Sequence, residues 1–180
     1  MLELHPIQDQ DVTVIRSWPS YPPEFAELDY ALRVGGWLAE YLQKPGTWIY
    51  VAKQYEEIAA FTILSKTGEA SAEFRIALRP DKLGQGLGKI IACMTLCKGF
   101  AEIGLSCIHL IVRKNNTRAI YLYQNLGFRE AGMALKEVNG KQVEFLAMEI
   151  SKTSCAQADS LDAHKKTRQS RASLATQKPV

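Results

Sequence analysis

The stretch that decides the fold is Pro80-Asp81-Lys82-Leu83-Gly84-Gln85-Gly86-Leu87-Gly88-Lys89-Ile90, which places three glycines at alternate positions between a strand-like and a helix-like segment. A glycine-rich loop that opens a helix can point several unpaired backbone N–H groups at an anion, and the helix dipole favours negative charge there. The sequence therefore predicts a site for a phosphate-bearing ligand at this loop.

Outward from the loop, the apolar pattern alternates between helix and strand periods. It predicts strands over about residues 2–7, 48–53, 58–65, 72–79, 108–112, 129–138 and 142–150, and helices over about residues 9–18, 23–43, 87–104 and 116–127. Asp9 or Asp11 is expected to cap the first helix, Gly35-Gly36 to bend the second and Asn116 to cap the last, with a turn at Asn139-Gly140. This order predicts an α/β fold in which helices cover a mixed sheet.

Composition divides the chain into a domain and a tail. The 180 residues, 47% of them hydrophobic, suffice for one domain with a substantial core. Residues 151–180 contain no aromatic residue and are rich in Ser, Thr, Ala, Gln and Lys, which predicts disorder. Six Lys/Arg against two Asp place the net positive charge in this tail. We therefore expect a domain at residues 1–150, a disordered basic tail at 151–180 and no nucleic-acid partner.

The cysteine pattern and the first residues bear on metal binding and location. The cysteines, at positions 93, 97, 107 and 155, form no CxxC pair and have no histidine at zinc-like spacing. We expect no metal site. The first residues lack a basic and an apolar region of a signal peptide, and no run of about eighteen apolar residues follows. We expect a cytoplasmic protein without a membrane partner.

The loop departs from two common phosphate-binding patterns. A Walker A loop ending at Gly88-Lys89 requires glycine at position 83 and Ser or Thr at position 90, where the chain has Leu83 and Ile90. A dinucleotide fingerprint that starts at Gly84 requires glycine at position 89, where Lys89 stands. Nucleotide hydrolysis and dinucleotide redox chemistry are therefore not expected.

A second motif follows the loop, and the two together carry a family resemblance. The pattern N-x-x-A-x-x-x-Y-x-x-x-G-F falls on Asn116, Ala119, Tyr123, Gly127 and Phe128. With a Q/R-x-x-G-x-G/A pattern over residues 83–88, it resembles the GNAT superfamily of acyl-CoA-dependent N-acetyltransferases across about residues 1–150. Leu83 stands where many members have Arg or Gln, which is similar to the ribosomal-protein N-terminal acetyltransferase branch. The resemblance implies a GNAT-like fold, a central mixed and mostly antiparallel sheet of about seven strands flanked by about four helices.

The resemblance also implies acetyl-CoA as the co-substrate. The pyrophosphate is expected against backbone N–H groups of the loop, and the pantetheine arm against the backbone of the strand before it. The implied cofactor-binding residues are Ile76, Ala77, Leu78, Leu83, Gly84, Gln85, Gly86, Leu87, Gly88, Lys89, Asn116, Arg118 and Tyr123. Helix capping would explain Asn116 equally well.

Two side chains are the catalytic candidates that the resemblance implies. Tyr123 matches the family tyrosine that protonates the leaving thiolate, and the alternative is a core tyrosine on an apolar helix face. Glu73 is the candidate base for the incoming ammonium, and the alternative is a surface ion pair with Arg75 on the same strand face. His109 is a candidate proton relay or a packed histidine.

The acceptor groove is expected between the first two helices. Aromatic walls and negative charge suited to an ammonium are supplied there by Trp18, Tyr21, Glu24, Glu27 and Asp29. The resemblance thus implies direct transfer of an acetyl group from acetyl-CoA to a primary amine, either a protein N-terminus or a small molecule, by a monomer or homodimer. The alternative is a non-catalytic acyl-CoA-binding regulatory domain of the same fold.

Overall fold

The computed structural model describes residues 1–138 and 140–153, with the side chain of Glu27 excepted. The chain forms two compact units, one from Met1 to Ile111 and the other beginning at Val112. The described residues contain seven β-strands and four α-helices, which are the numbers predicted from the sequence.

The first unit is built on a mixed sheet. Its strands are β1 (Leu2–Pro6), β2 (Thr47–Gln54), β3 (Glu57–Lys66), β4 (Ser71–Leu78) and β5 (Cys107–Arg113), the last of which continues into the second unit. The first four strands pair in sequence order and antiparallel, whereas β4 and β5 run parallel. The predicted antiparallel hairpin of β2 and β3 is confirmed, and its turn holds Tyr55 and Glu56 at positive φ.

The helices of the first unit follow the predicted order but not all of the predicted lengths. They are α1 (Asp9–Arg16), a 3-10 helix (Pro23–Ala31), α2 (Trp37–Tyr41), a 3-10 turn (Pro80–Lys82) and α3 (Leu87–Cys97), which continues as a π-type turn (Lys98–Ile103). Gly104 ends the last of these at φ 82°, close to where the sequence predicts the end of this helix.

The prediction of one bent helix over residues 23–43 is wrong. A 3-10 helix ends at Ala31 and α2 begins at Trp37, with Gly35 at φ 80° between them. A Cβ at Gly36 would overlap the carbonyl oxygen of Tyr30. The glycine pair therefore makes a tight turn that separates two short helices, because its backbone takes a path that a helix interior cannot follow.

The predicted cap of α1 is also wrong. The N-cap residue is Gln8, in extended conformation, and Asp11 lies in the first turn. The Asp11 carboxylate accepts a hydrogen bond of 2.9 Å from the backbone N–H of Gln8. Asp11 thus supports the helix start from inside the helix, as the acidic residue of a capping box does.

The core of the first unit has a layer on each face of the sheet. On one face, Phe61 and Ile63 of β3 pack with Ile15 of α1 and Leu38 of α2. On the other face, small residues of β2 and β3 pack against Leu87 and Ile91 of α3. Since side chains alternate between faces along a strand, the odd-numbered residues of β4 and of β3 from Phe61 onwards face α1 and α2, and the even-numbered ones face α3.

The second unit contains α4 (Thr117–Asn125), β6 (Arg129–Val138) and β7 (Lys141–Ser151). β6 and β7 pair antiparallel, with a bulge between Glu130 and Gly132. The predicted Asn139-Gly140 turn includes residue 139, which lies outside the described residues. The predicted disordered tail falls mainly on residues 154–180, which also lie outside them, while β7 reaches Ser151.

Phe61 is the largest fully buried side chain, so its removal tests the layer beneath α1 and α2. Its ring lies 6.2 Å from that of Trp18 and 6.4 Å from that of Trp37, measured between centroids. We expect Phe61→Ala to lower the free energy of unfolding by about 3–5 kcal/mol, because it leaves a cavity. Urea denaturation measures this change. Tyr121→Ala is the control: that side chain is 69% exposed, and a change above about 0.5 kcal/mol there would contradict the account.

Candidate functional site

The glycine loop adopts a conformation suited to an anion. Gly84 and Gly86 have φ values of 80° and 77°, in the left-handed region that favours glycine. Gly86 is the N-cap of α3, and no side chain caps this helix end. Nothing lies within 4 Å of a Cβ built on Gly86. Backbone N–H groups at the start of α3 lack intrahelical partners, so the loop provides an open nest of donors at the positive end of a helix.

Side chains around the loop form hydrogen bonds with it, and carboxylates pair with Arg79 and Lys82. Arg79 donates two hydrogen bonds to Asp81, of 2.6 and 2.7 Å, and these lower the pKa of the Asp81 carboxyl. Lys82 lies 3.3 Å from the Glu57 carboxylate, and Gln85 donates to the backbone carbonyl of Asp81 at 2.9 Å. Lys82 thus already has an anionic partner.

β4 presents an open backbone edge next to the loop. Within the described residues, β4 and β5 pair between Ser71–Glu73 and Cys107–His109 and no further. Arg79 donates its backbone N–H to Ala59, so the odd-numbered residues of β4 direct their backbone groups at β3. The backbone groups of Ile76 and Leu78 therefore point to the open edge, whereas those of Ala77 point to β3.

Tyr21 ties the segment before α2 to this edge. Its hydroxyl donates a hydrogen bond of 2.5 Å to the carbonyl of Leu78, and its backbone N–H donates to Asp29 at 2.8 Å. Burial, with a smaller effect of the Asp29 charge, raises the pKa of the Tyr21 phenol. The sequence predicted Tyr21 as an aromatic wall and Asp29 as a negative charge of the acceptor groove. It did not predict the hydrogen bond from Tyr21 to Leu78 or the one from Tyr21 to Asp29. Residues 21 and 78 are far apart in the chain, and no motif connects them.

Glu73 makes the ion pair that the sequence offered as the alternative to a base. Its carboxylate accepts a hydrogen bond of 2.9 Å from Arg75, and both side chains are largely buried, with 16% and 19% exposed. The Arg75 guanidinium carbon lies 5.2 Å from the ring centroid of Trp37 and 5.3 Å from that of Tyr41. Arg75 is therefore held on β4 by a carboxylate and two aromatic rings.

His109 lies beside Glu73 in the sheet register but bonds elsewhere. The two residues are partners in the parallel pairing of β4 and β5. The imidazole Nε2 of His109 is 2.8 Å from the hydroxyl oxygen of Thr67. The contact is exposed to solvent, and the proton-relay role of His109 stays a prediction.

In the second unit, the tyrosine of the family motif lies on the side of α4 that packs against Phe128. Tyr123 is half-buried and packs edge-to-face on Phe128, 5.6 Å between centroids, whereas Tyr121 is 69% exposed. Burial raises the pKa of the Tyr123 phenol. Asn116 accepts a hydrogen bond of 3.1 Å from the backbone N–H of Ala119, so it caps α4 as predicted. Arg118 is exposed on the same helix.

The described residues contain neither a cluster of metal-binding side chains nor a membrane-spanning helix. In residues 1–138 and 140–153, no three His, Cys, Asp or Glu side chains are grouped closely enough to hold a metal ion. In the same part of the chain, no helix has both the length and the apolar character needed to cross a bilayer.

Similarity to known proteins agrees with the two motifs. The family model described as "Acetyltransferase (GNAT) family" matches residues 12–128. Spermidine N(1)-acetyltransferase from Escherichia coli K12 is 38% identical over 72 residues, which are 39% of each chain. The [ribosomal protein bS18]-alanine N-acetyltransferase from the same strain is 37% identical over 78 residues, 43% of this chain and 52% of that protein. The chain thus matches about half or less of the length of these relatives.

A solved structure shares the fold. Mutant forms of the spermidine/spermine N-acetyltransferase from Vibrio cholerae superpose with a TM-score of 0.70 over 87% of this chain and 98% of that chain, at 20% identity. The predicted GNAT-like fold is therefore confirmed. Because the family model covers more than half of the sequence, and both of its motifs lie on the loop and helix expected for them, this chain belongs to the GNAT acetyltransferase family.

Proposed function

We propose that this protein binds acetyl-CoA at the Gly84–Lys89 loop and the open edge of β4, and transfers the acetyl group directly to a primary amine. The loop is the observation that carries the proposal. Its two glycines at positive φ and the uncapped start of α3 offer backbone donors and space where a pyrophosphate would lie. Family membership supplies acetyl-CoA as the molecule that bears this pyrophosphate.

The edge of β4 supports the place proposed for the pantetheine arm. That arm contains amide groups, which can pair with an unpaired strand edge as another strand does. The backbone groups of Ile76 and the N–H of Leu78 face this edge, and the Leu78 carbonyl already accepts from Tyr21. We therefore assign the contacts of the arm to Ile76 and Leu78, with Ala77 holding the strand against β3.

Transfer to an amine requires an acid for the leaving thiolate, and Tyr123 is proposed for it. The neutral amine nitrogen forms a bond to the acetyl carbon and releases one proton to solvent, the carbon–sulfur bond breaks, and the sulfur takes the phenol proton, which solvent then replaces. Burial raises the pKa of the Tyr123 phenol, so the group holds its proton at neutral pH and is available as an acid.

Glu73 is proposed to remove a proton from the incoming ammonium, directly or through a water molecule. Its carboxylate offers about four lone-pair sites, of which the Arg75 guanidinium occupies one. The same ion pair favours the alternative, a regulatory domain that binds acyl-CoA without turnover. Release of free thiol from acetyl-CoA with a panel of amines and peptides distinguishes the two functions, because a regulatory domain binds the cofactor and releases none.

The acceptor class is proposed from the names of the relatives. One set of relatives is named for spermidine and another for the alanine of a ribosomal protein, so polyamines and protein N-termini are the first amines to test. A cytoplasmic location and a monomeric or homodimeric state remain predictions. Light scattering measures the assembly state, and a related structure from Vibrio cholerae is described as dodecameric.

Gly86→Ala tests the loop. The added Cβ strains a left-handed backbone and enters the space assigned to the pyrophosphate, so we expect about tenfold or greater loss of acetyl-CoA affinity in calorimetry. Gly104→Ala is the matched control, since Gly104 also has positive φ and open space but ends the helix instead of starting it. Equal affinities in the two variants would contradict the assignment of the loop.

Tyr123→Phe tests the acid. We expect kcat to fall by about a hundredfold while the Kd for acetyl-CoA changes little, because the ring stays and the proton is lost. The reaction needs the protonated phenol, and burial raises the pKa of Tyr123. Deprotonation of Tyr123 should therefore lower wild-type kcat only above about pH 10. Tyr121→Phe, on the exposed side of α4, is the control. Unchanged turnover in Tyr123→Phe would remove Tyr123 from the mechanism.

Glu73→Gln tests the base. At neutral pH we expect kcat/KM to fall by about a hundredfold, since the acceptor must then lose its proton to solvent. The deficit should shrink as pH rises towards the pKa of the acceptor amine, because the neutral amine becomes abundant. Glu102→Gln, an exposed residue of an i,i+4 ion pair, serves as control. A deficit that does not depend on pH would instead indicate a structural role for Glu73.

A further inference from the structure

Two buried nitrogen donors in the described residues lack an acceptor, and both lie on the α1 and α2 face of the sheet. They are the indole Nε1 of Trp18 and the guanidinium Nε of Arg75. Buried N–H groups are nearly always hydrogen-bonded, because an unsatisfied donor loses the hydration it had in the unfolded chain. A pair of such donors in one layer therefore requires an explanation.

The two donors belong to one continuous group of side chains. Trp18 packs on Phe61, Phe61 packs on Trp37, and the Arg75 guanidinium lies over Trp37. Both tryptophans are half-buried. We name this group, Trp18, Phe61, Trp37 and Arg75, the aromatic–arginine cluster. It lies on the α1 and α2 face of the sheet and is joined to Glu73 through the Arg75 ion pair.

Charge in and around the cluster disfavours a ligand that carries several positive charges. Arg75 is itself a cation, and it compensates the nearby Glu73 carboxylate. Asp29 keeps its charge and is bonded to the backbone of Tyr21, and Glu24 and Glu40 are exposed, so none of these three acids belongs to the cluster. A protonated polyamine has N–H donors and no acceptors, so it satisfies neither orphan nitrogen.

We propose that Trp18 and Arg75 donate hydrogen bonds to a carbonyl or carboxylate oxygen next to the acceptor amine, so that the acceptor is an aminoacyl or peptide N-terminus and not a polyamine. This inference rests on the proposed transfer to an amine and names its substrate class. An oxygen acceptor of this kind supplies what the two nitrogens lack. Arg75, which donates to the oxygen, is also paired with Glu73, and Glu73 is the base proposed to lie beside the amine.

The experiment compares three acceptors by thiol release from acetyl-CoA. Alaninamide carries the carbonyl, sec-butylamine keeps a similar carbon skeleton without it, and spermidine represents the polyamines. With rates normalised to the unprotonated amine, we expect wild-type kcat/KM for alaninamide to exceed the other two by about tenfold or more. A preference for spermidine overturns the inference.

Variants of the donors locate the preference. Trp18→Phe removes the indole N–H and keeps an aromatic ring, and Arg75→Lys keeps the charge and removes Nε. Each should lower the ratio of kcat/KM between alaninamide and sec-butylamine by about tenfold. Trp48→Phe is the matched control, because Trp48 pairs with Leu64 and faces the opposite side of the sheet. An unchanged ratio in both donor variants means that the two nitrogens bind water only, and overturns the inference.

A second readout does not need turnover. The chain has three tryptophans, and Trp18→Phe assigns the Trp18 indole N–H resonance in a nitrogen–proton NMR spectrum. Alaninamide should shift this resonance, and sec-butylamine should not. If acetyl-CoA binds and no amine is acetylated, the proposed acetyl transfer is wrong. The shift of the indole resonance still shows whether the cluster binds a carbonyl group. Absence of the shift contradicts it.

Discussion

One strand with two unlike edges is the constraint on which the rest of the first unit depends. β4 is paired with β3 along its length, while its pairing with β5 in the described chain covers Ser71–Glu73 alone. Beyond that point its backbone can serve a ligand, because the outward amides have no neighbouring strand. Its odd-numbered side chains, Glu73 and Arg75, meanwhile face α1 and α2. In the proposed function, this strand therefore offers its backbone to acetyl-CoA and its side chains to the amine.

The loop shows why backbone geometry is more important here than side-chain charge. Arg79 and Lys82 flank it, yet their charges are met by Asp81 and Glu57. An incoming diphosphate would have to compete with those carboxylates for the cations, whereas the amides at the start of α3 form part of the fold. Glycine at positions 84 and 86 keeps these amides accessible, since both residues have positive φ.

The sequence predicted these features wherever a local pattern determines the structure. Strand alternation located the strands, and Asn116 was recognised as a cap because a cap depends on residues a few positions away. The prediction of one helix over residues 23–43 was wrong because the spacing of apolar residues does not show that a Cβ at position 36 would overlap the Tyr30 carbonyl oxygen. The Tyr21–Leu78 bond and the aromatic–arginine cluster join segments distant in sequence, and no periodicity encodes such contacts. Of the candidate site, the loop and the Glu73–Arg75 pair were readable from the sequence, whereas the two aromatic rings that pack on Arg75 were not.

The hydrogen bond from Tyr21 to Leu78 also has a thermodynamic consequence. The bond joins the segment between α1 and α2 to the last outward carbonyl of β4, so a ligand that donates to this carbonyl either shares it with the phenol or displaces the phenol. Binding and the Tyr21 bond are linked reciprocally. If a ligand at β4 changes the stability of the Tyr21 hydrogen bond, then this hydrogen bond changes the affinity for that ligand by the same free energy. In the proposed function, the two substrates are therefore coupled through one hydroxyl group.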